Sequence, residues 1–159
     1  MLFTTTFTLP VARERLFAFH EDPRNLGVLL EGWPLTRVLA TDGHIRPGAR
    51  TEILERWGPL ELRLAFEHFL LEPPERFGER MVRGPFRSFE HVHRFRPAAC
   101  AGHVVVEERI ELELPRWLGG ELAARLAVLP RLRRFFAFRE RAYERLAAEG
   151  RFGLPRSRR

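Results

Sequence analysis

Two histidines separated by a single residue, His91 and His93 in Phe89-Glu-His-Val-His-Arg-Phe95, form the most chemically suggestive pair in this 159-residue chain. On an extended strand residues two apart share a face, so both imidazoles point the same way as Phe89 and Phe95. Glu108 stands likewise among Val104, Val106, Ile110, Leu112 and Leu114, and His68 among Leu60, Leu62, Leu64, Phe66 and Leu70. Four ionisable groups on otherwise apolar faces need partners, water or a ligand, because an unpaired buried charge is costly. The simplest outcome is a hydrogen bond to a neighbour, or water at an open rim. Beyond that, the set suits a polar patch that orients a ligand, or general acid–base work by His91, His93 or Glu108 if a pKa lies near working pH. It also suits a metal ion held by His91 and His93, with His68 and Glu108 completing a tetrahedron if their strands are neighbours.

Other chemistries fall away. Cys100, the single cysteine, sits in the small-residue stretch Pro97-Ala-Ala-Cys-Ala-Gly102 with no partnered histidine, which makes it a turn residue and excludes an internal disulfide. Trp117-Leu-Gly-Gly120 lacks the glycine spacing of a nucleotide loop, and Ser88 in Phe86-Arg-Ser-Phe-Glu90 is no nucleophile elbow. Trp33, Trp57 and Trp117 have no basic stripe beside them, so they read as core or rim aromatics rather than a stacking platform.

The elements that position these groups are legible from period and punctuation. Phe3, Thr5, Phe7 and Leu9 alternate as a strand over Leu2–Leu9; Pro10 ends it. A helix over Val11–His20 and a second from Asp22-Pro23 to Leu30 follow. Six extended segments come next, Leu35–Ala40, Thr51–Trp57, Leu60–Leu71, Arg76–Val82, Phe86–Arg96 and His103–Leu114, divided by turns such as Asp42-Gly43, Pro47-Gly48 and Gly58-Pro59. Links this short predict an antiparallel sheet of seven strands. From Leu118 to Gly150 apolar residues recur at three- and four-residue steps (Leu122, Leu126, Leu129, Leu132, Phe136, Tyr143, Leu146), interrupted at Arg139–Glu140; this predicts one long amphipathic helix, bent at Pro130.

Charge and length bound the rest. The chain suits one domain, 1–150, followed by an arginine-rich tail, 151–159. All 27 basic residues are arginine, a bias expected of a thermophilic or GC-rich source. The net charge of +6 is local: 131–159 carries ten arginines against Glu140, Glu144 and Glu149, which leaves the preceding chain at −1. That distribution predicts no specific nucleic-acid partner, and at most weak contact of Arg156, Arg158 and Arg159 with an anionic surface. No apolar run approaches a membrane span and Met1–Thr8 lacks a secretion-signal layout, so a soluble cytoplasmic protein is expected.

The order strand, two helices, six strands, long helix resembles the helix-grip arrangement of the START/Bet v 1-like (SRPBCC) superfamily, the bacterial polyketide cyclase/dehydrase and lipid-transport-like proteins in particular. The resemblance spans residues 1 to about 148 and is carried by Pro10-Val11 through Phe17-Ala-Phe-His-Glu-Asp22, by Gly84-Pro-Phe-Arg-Ser-Phe-Glu-His-Val-His-Arg-Phe95, and by Leu114-Pro115 leading to Gly119-Gly120. It implies an α+β fold: a seven-stranded curved antiparallel sheet around the C-terminal helix, with an apolar ligand between them. It implies no metal or other cofactor. On that basis the expected cavity residues are Leu62, Leu64, Phe66, His68, Phe89, His91, His93, Val106, Glu108, Leu126, Leu129 and Phe136. The expected ligand is a small hydrophobic or amphipathic molecule: a lipid, an isoprenoid or an aromatic polyketide. Two alternatives stay open: a cyclase/dehydrase-like enzyme using the cavity His and Glu as acid and base, and an interaction or regulatory partner with a filled core. The fold alone does not choose, since such folds host many functions.

Overall fold

A computed structural model describes residues 1–152; Arg156, Arg158 and Arg159 of the expected tail lie outside the described residues. Strand β1 (Leu2–Leu9) ends at Pro10, and α1 (Arg13–Glu21) starts two residues later than the sequence suggests because Ala12 is still extended, with φ −63° and ψ 136°. The second helix is a short one, α2 (Asn25–Leu29). Asp22 does not cap it; its carboxylate accepts the Arg24 amide at 3.0 Å and so closes a turn ahead of the helix.

Six further strands follow: β2 (Thr36–Thr41), β3 (Arg50–Trp57), β4 (Leu60–Glu72), β5 (Arg76–Arg83), β6 (Ser88–Pro97) and β7 (Val104–Glu113). They form one antiparallel sheet in the order β1-β7-β6-β5-β4-β3-β2. The first strand thus pairs with the last, and α1 and α2 carry the chain to the opposite edge. Register shifts between β2 and β3 and at two places between β4 and β5 leave an extra residue on one strand of the pair, Leu39 on β2, Val82 on β5 and Phe69 on β4, which bends the strands and curves the sheet. Leu64, Ala65 and Phe66 are buried in succession, where strict alternation would bury every second residue.

The C-terminal helix is segmented rather than continuous. A 3₁₀ turn (Arg116–Leu118) leads through Gly119, whose φ of 88° suits only glycine, into α3 (Gly120–Ala123), a π-helical turn (Ala124–Val128) and α4 (Leu129–Ala148). Pro130 falls in the first turn of α4, where a missing amide is tolerated, and the departure from α geometry lies just before it. A π turn holds one residue more than an α turn and so rotates the phase of the apolar stripe by about 100°. The stripe that meets the sheet is therefore Ala124, Val128, Phe136, Arg139, Tyr143 and Leu146, whereas Leu122 and Leu126 stand 68% and 71% exposed.

Two apolar clusters fix this helix to the sheet. One joins its end (Tyr143, Leu146) to α1, β1, β6 and β7 through Leu16, Phe17, Phe7, Phe95 and Val106. The other joins Ala124, Val128 and Phe136 to Phe3, Ile110 and Leu112. Among the described residues no helix is long and apolar enough to cross a membrane.

Candidate functional site

The ladder places the ionisable residues in two adjacent rows. His68, Glu79 and His91 are successive cross-strand partners on β4, β5 and β6; one step along, Phe77, His93 and Glu108 are partners on β5, β6 and β7. Because β4 and β7 are separated by two strands, His68 and Glu108 are not neighbours, and the tetrad imagined from sequence does not form. Glu108 instead lies between the two histidines, fully buried: its Oε2 is 2.9 Å from His91 Nε2 and 2.6 Å from His93 Nδ1. Glu79 Oε1 approaches the other face of His91, 3.4 Å from Nδ1. His93 stacks on Phe77 with centroids 4.1 Å apart.

From the opposite side α4 delivers Arg139, only 4% exposed, one turn after Phe136 and one before Tyr143. Its Nη2 donates to the Tyr143 hydroxyl at 2.8 Å and lies 3.5 Å from Glu108 Oε1; the same hydroxyl is 2.9 Å from His20 Nε2 on α1. Among the described residues four buried atoms have no hydrogen-bond partner: His68 Nδ1, His93 Nδ1, Glu108 Oε1 and Arg139 Nε. Two of these, His93 Nδ1 and Glu108 Oε1, are within ion-pair distance of a partner without an aligned hydrogen bond.

The proton balance follows from burial and charge. Burial opposes ionisation of Glu108, but His93, Arg139 and His91 outweigh it and hold the carboxyl well below the usual range. Burial likewise works against the Glu79 charge, and His91 prevails, bringing that carboxyl down to about 2. For His91 burial favours the neutral form, while the two flanking glutamates reverse this and raise its pKa. His93 goes the other way: burial takes it down to about 4 despite the pull of Glu108. Arg139 and a proton on His91, which the two flanking carboxylates favour, thus offset the charges of Glu79 and Glu108.

Two cavities meet at this cluster. The larger, about 140 Å³, lies between β3–β6 and α4; its walls are mainly apolar, with Ile53, Leu64, Phe66, Phe89, Leu132 and Phe136 the main contributors. Glu79, His91 and Arg139 form a polar wall, and further along β3 Glu55 is ion-paired with Arg131, whose guanidinium lies over Trp57. The smaller, about 60 Å³, is lined by His20, His68 and His93 and shares Glu79 and Arg139 with the larger.

Of the residues expected around a ligand, Leu64, Phe66, Phe89, His91 and Phe136 line the larger cavity, and His68 and His93 the smaller. Five do not. Leu126 faces solvent and Leu129 packs against the second apolar cluster, because the π turn moves Val128 and Leu132 into their places. Leu62 is partly exposed, on a stretch of β4 that pairs with β3 alone. Val106 is covered by Phe7 and Phe95 on the flanking strands, and Glu108 lies behind the two histidines. The sequence reading missed Glu79, Arg139, His20 and Tyr143. Glu79 alternates with Phe77 and Met81 on β5, and Arg139 has helical spacing with Phe136 and Tyr143, so both carried a usable signal.

No family model matches the chain, and no curated protein matches it. Solved structures do. The TTHA0849 protein of Thermus thermophilus is 17% identical, with a TM-score of 0.69 over 94% of this chain and 99% of that one. Norcoclaurine synthase from Thalictrum flavum, solved in complex with dopamine and hydroxybenzaldehyde, is 15% identical with a TM-score of 0.67 over 94% of this chain and 87% of its own. The major latex-like protein 151 of Panax ginseng is 9% identical with a TM-score of 0.65, over 91% and 95% respectively. At such identities the likeness is one of fold, and the fold shared with these structures is the helix grip, a curved antiparallel sheet around a C-terminal helix.

Proposed function

We propose that this protein binds a small apolar molecule, about the size of one substituted aromatic ring, in the cavity between the sheet and α4. The observation that carries the proposal is the cavity itself: about 140 Å³, walled by aliphatic and aromatic side chains and polar on one side through Glu79, His91 and Arg139. An apolar cavity of about 150 Å³ holds a benzene ring. Apolar contact supplies affinity, and the polar wall selects a ring carrying an oxygen substituent and fixes its orientation. The one-ring compounds bound by norcoclaurine synthase are of this size. A long acyl chain or a fused-ring polyketide needs more room, so binding either requires α4 or α2 to move outward.

Trp57 lines the cavity and supplies the readout. Titration with toluene, phenol and 4-hydroxybenzaldehyde is expected to change tryptophan fluorescence saturably, and palmitate and anthraquinone are expected to be weaker. Leu64→Phe, which fills the space from β4, should abolish the response while leaving the fold intact by circular dichroism. Silence towards every one-ring compound, or an unchanged response in Leu64→Phe, refutes the proposal.

An enzymatic reading draws on one specific observation. His91 faces the cavity, is held by glutamates on both ring nitrogens, and has a raised pKa, as suits a general acid. It predicts that His91→Ala abolishes turnover of a bound ring compound with ligand affinity largely retained; equal loss of binding would leave His91 an orienting role alone.

A further inference from the structure

We propose that Glu79, His91 and His93 form a binding site for one divalent transition-metal ion, with Glu108 as the outer carboxylate that orients both imidazoles. One donor atom from each of the three lies within 4.8 Å of the other two. The 3.4 Å between His91 Nδ1 and Glu79 Oε1 is long for a charge-assisted hydrogen bond, which falls near 2.7–2.9 Å. It fits the edge of a coordination tetrahedron, because donors held about 2.1 Å from an ion lie about 3.4 Å from one another.

Glu108 gives the arrangement its direction. Its Oε2 faces Nε2 of His91 and Nδ1 of His93, which leaves Nδ1 of His91, beside Glu79 Oε1, and Nε2 of His93 as the nitrogens that would meet an ion. A carboxylate behind a ligating histidine fixes the tautomer and raises ligand basicity. All four side chains project from three adjacent paired strands, β5, β6 and β7, which is a rigid base for coordination.

Charge points the same way. A bound cation takes the place of the His91 proton between Glu79 and the imidazoles and keeps the two carboxylates, with Arg139, in charge balance. Glu79 and His91 line the larger cavity and Glu79 and His93 the smaller, so the ion sits at their junction, with its remaining position open to water or a ligand oxygen. His68 lines the smaller cavity but is not part of this donor group. Two imidazoles and one carboxylate suit zinc, with cobalt(II) as its spectroscopic substitute.

The test uses full-length protein stripped with a chelator and titrated separately with Zn²⁺ and Co²⁺. Calorimetry and elemental analysis after desalting are expected to show one ion per chain with micromolar or tighter affinity, and Co²⁺ should give visible bands of a low-coordinate site. Glu79→Gln and His93→Ala should each weaken binding at least tenfold. Glu108→Gln should weaken it about 10- to 100-fold while keeping the cobalt spectrum. His44→Ala, an exposed histidine, should change nothing. Absence of stoichiometric binding to wild type, or binding that survives His91→Ala/His93→Ala, overturns the proposal. Ring-compound binding by the metal-free protein is measured apart, so the two proposals fail separately.

Discussion

Arg139 is the side chain whose removal tests the buried cluster most directly. Arg139→Met keeps most of the aliphatic volume against Phe136 and Tyr143 and removes the charge. At 3.5 Å from Glu108 and an effective dielectric of 20, the lost attraction is about 5 kcal/mol gross. The hydrogen bond to the Tyr143 hydroxyl, 2.8 Å, adds about 1.5–3 kcal/mol. Against these stands relief from burying a guanidinium, so the net loss is set at about 3–5 kcal/mol, the range for leaving one member of a buried pair unpartnered. For a domain of this length that lowers Tm by on the order of 10 °C. Urea and thermal unfolding followed by circular dichroism measure it. The second half of the test is Arg139→Met/Glu108→Leu, which removes the stranded carboxylate too and should recover at least about 2 kcal/mol. A single variant within about 1 kcal/mol of wild type, or a double variant as unstable as the two singles summed, refutes the account.

Two further outcomes follow from the helix phase and from His20. Leu126→Glu should shift stability by no more than about 0.5 kcal/mol because Leu126 is solvent-exposed, whereas Val128→Ala should cost about 2 kcal/mol; equal effects in urea titrations would contradict the π-turn phase. Burial, with His93, Arg139 and His91 adding to it and Glu108 opposing, holds the His20 pKa well below 6.5, so the unfolded chain takes up a proton that the folded one does not. His20 therefore makes stability fall as pH drops below about 6.5, by up to about 1.4 kcal/mol per pH unit, until its folded pKa is reached. Unfolding free energies at pH 7, 6 and 5 should show a slope shallower in His20→Phe than in wild type, and parallel slopes would exclude it.

What was legible in the sequence was whatever alternates. Phe3 and Phe7, the set from Val104 to Leu112, and the His91/His93 pair all face as period two requires, and short turns made the neighbours antiparallel. The misplaced helix residues trace to a local departure from a fixed period. The π turn turns Leu126 outward and carries no compositional mark. Arg139 was lost for another reason. A charged residue in an apolar stripe reads as an interruption, and here it is the stripe's contact with Glu108.

That contact bears on why the cluster is there. A buried ion pair of this kind adds little to stability over well-packed apolar residues of the same volume. The second apolar cluster already joins α4 to β1 and β7 beside it, through Phe136, Phe3 and Ile110, so the helix does not depend on Arg139 for its docking. Glu108, Arg139, His91 and His93 converge where two cavities meet, while the outer face of the sheet carries its charges in exposed pairs such as Arg96–Glu107 and Arg87–Glu113. Apolar replacement that leaves stability unchanged and removes ligand or metal binding would place the cluster's purpose in the cavity; replacement that leaves both unchanged would make it a satisfied remnant of packing. The Arg139→Met/Glu108→Leu protein, measured for Zn²⁺ and phenol binding beside its urea midpoint, separates those cases, and the position of the cluster predicts the first.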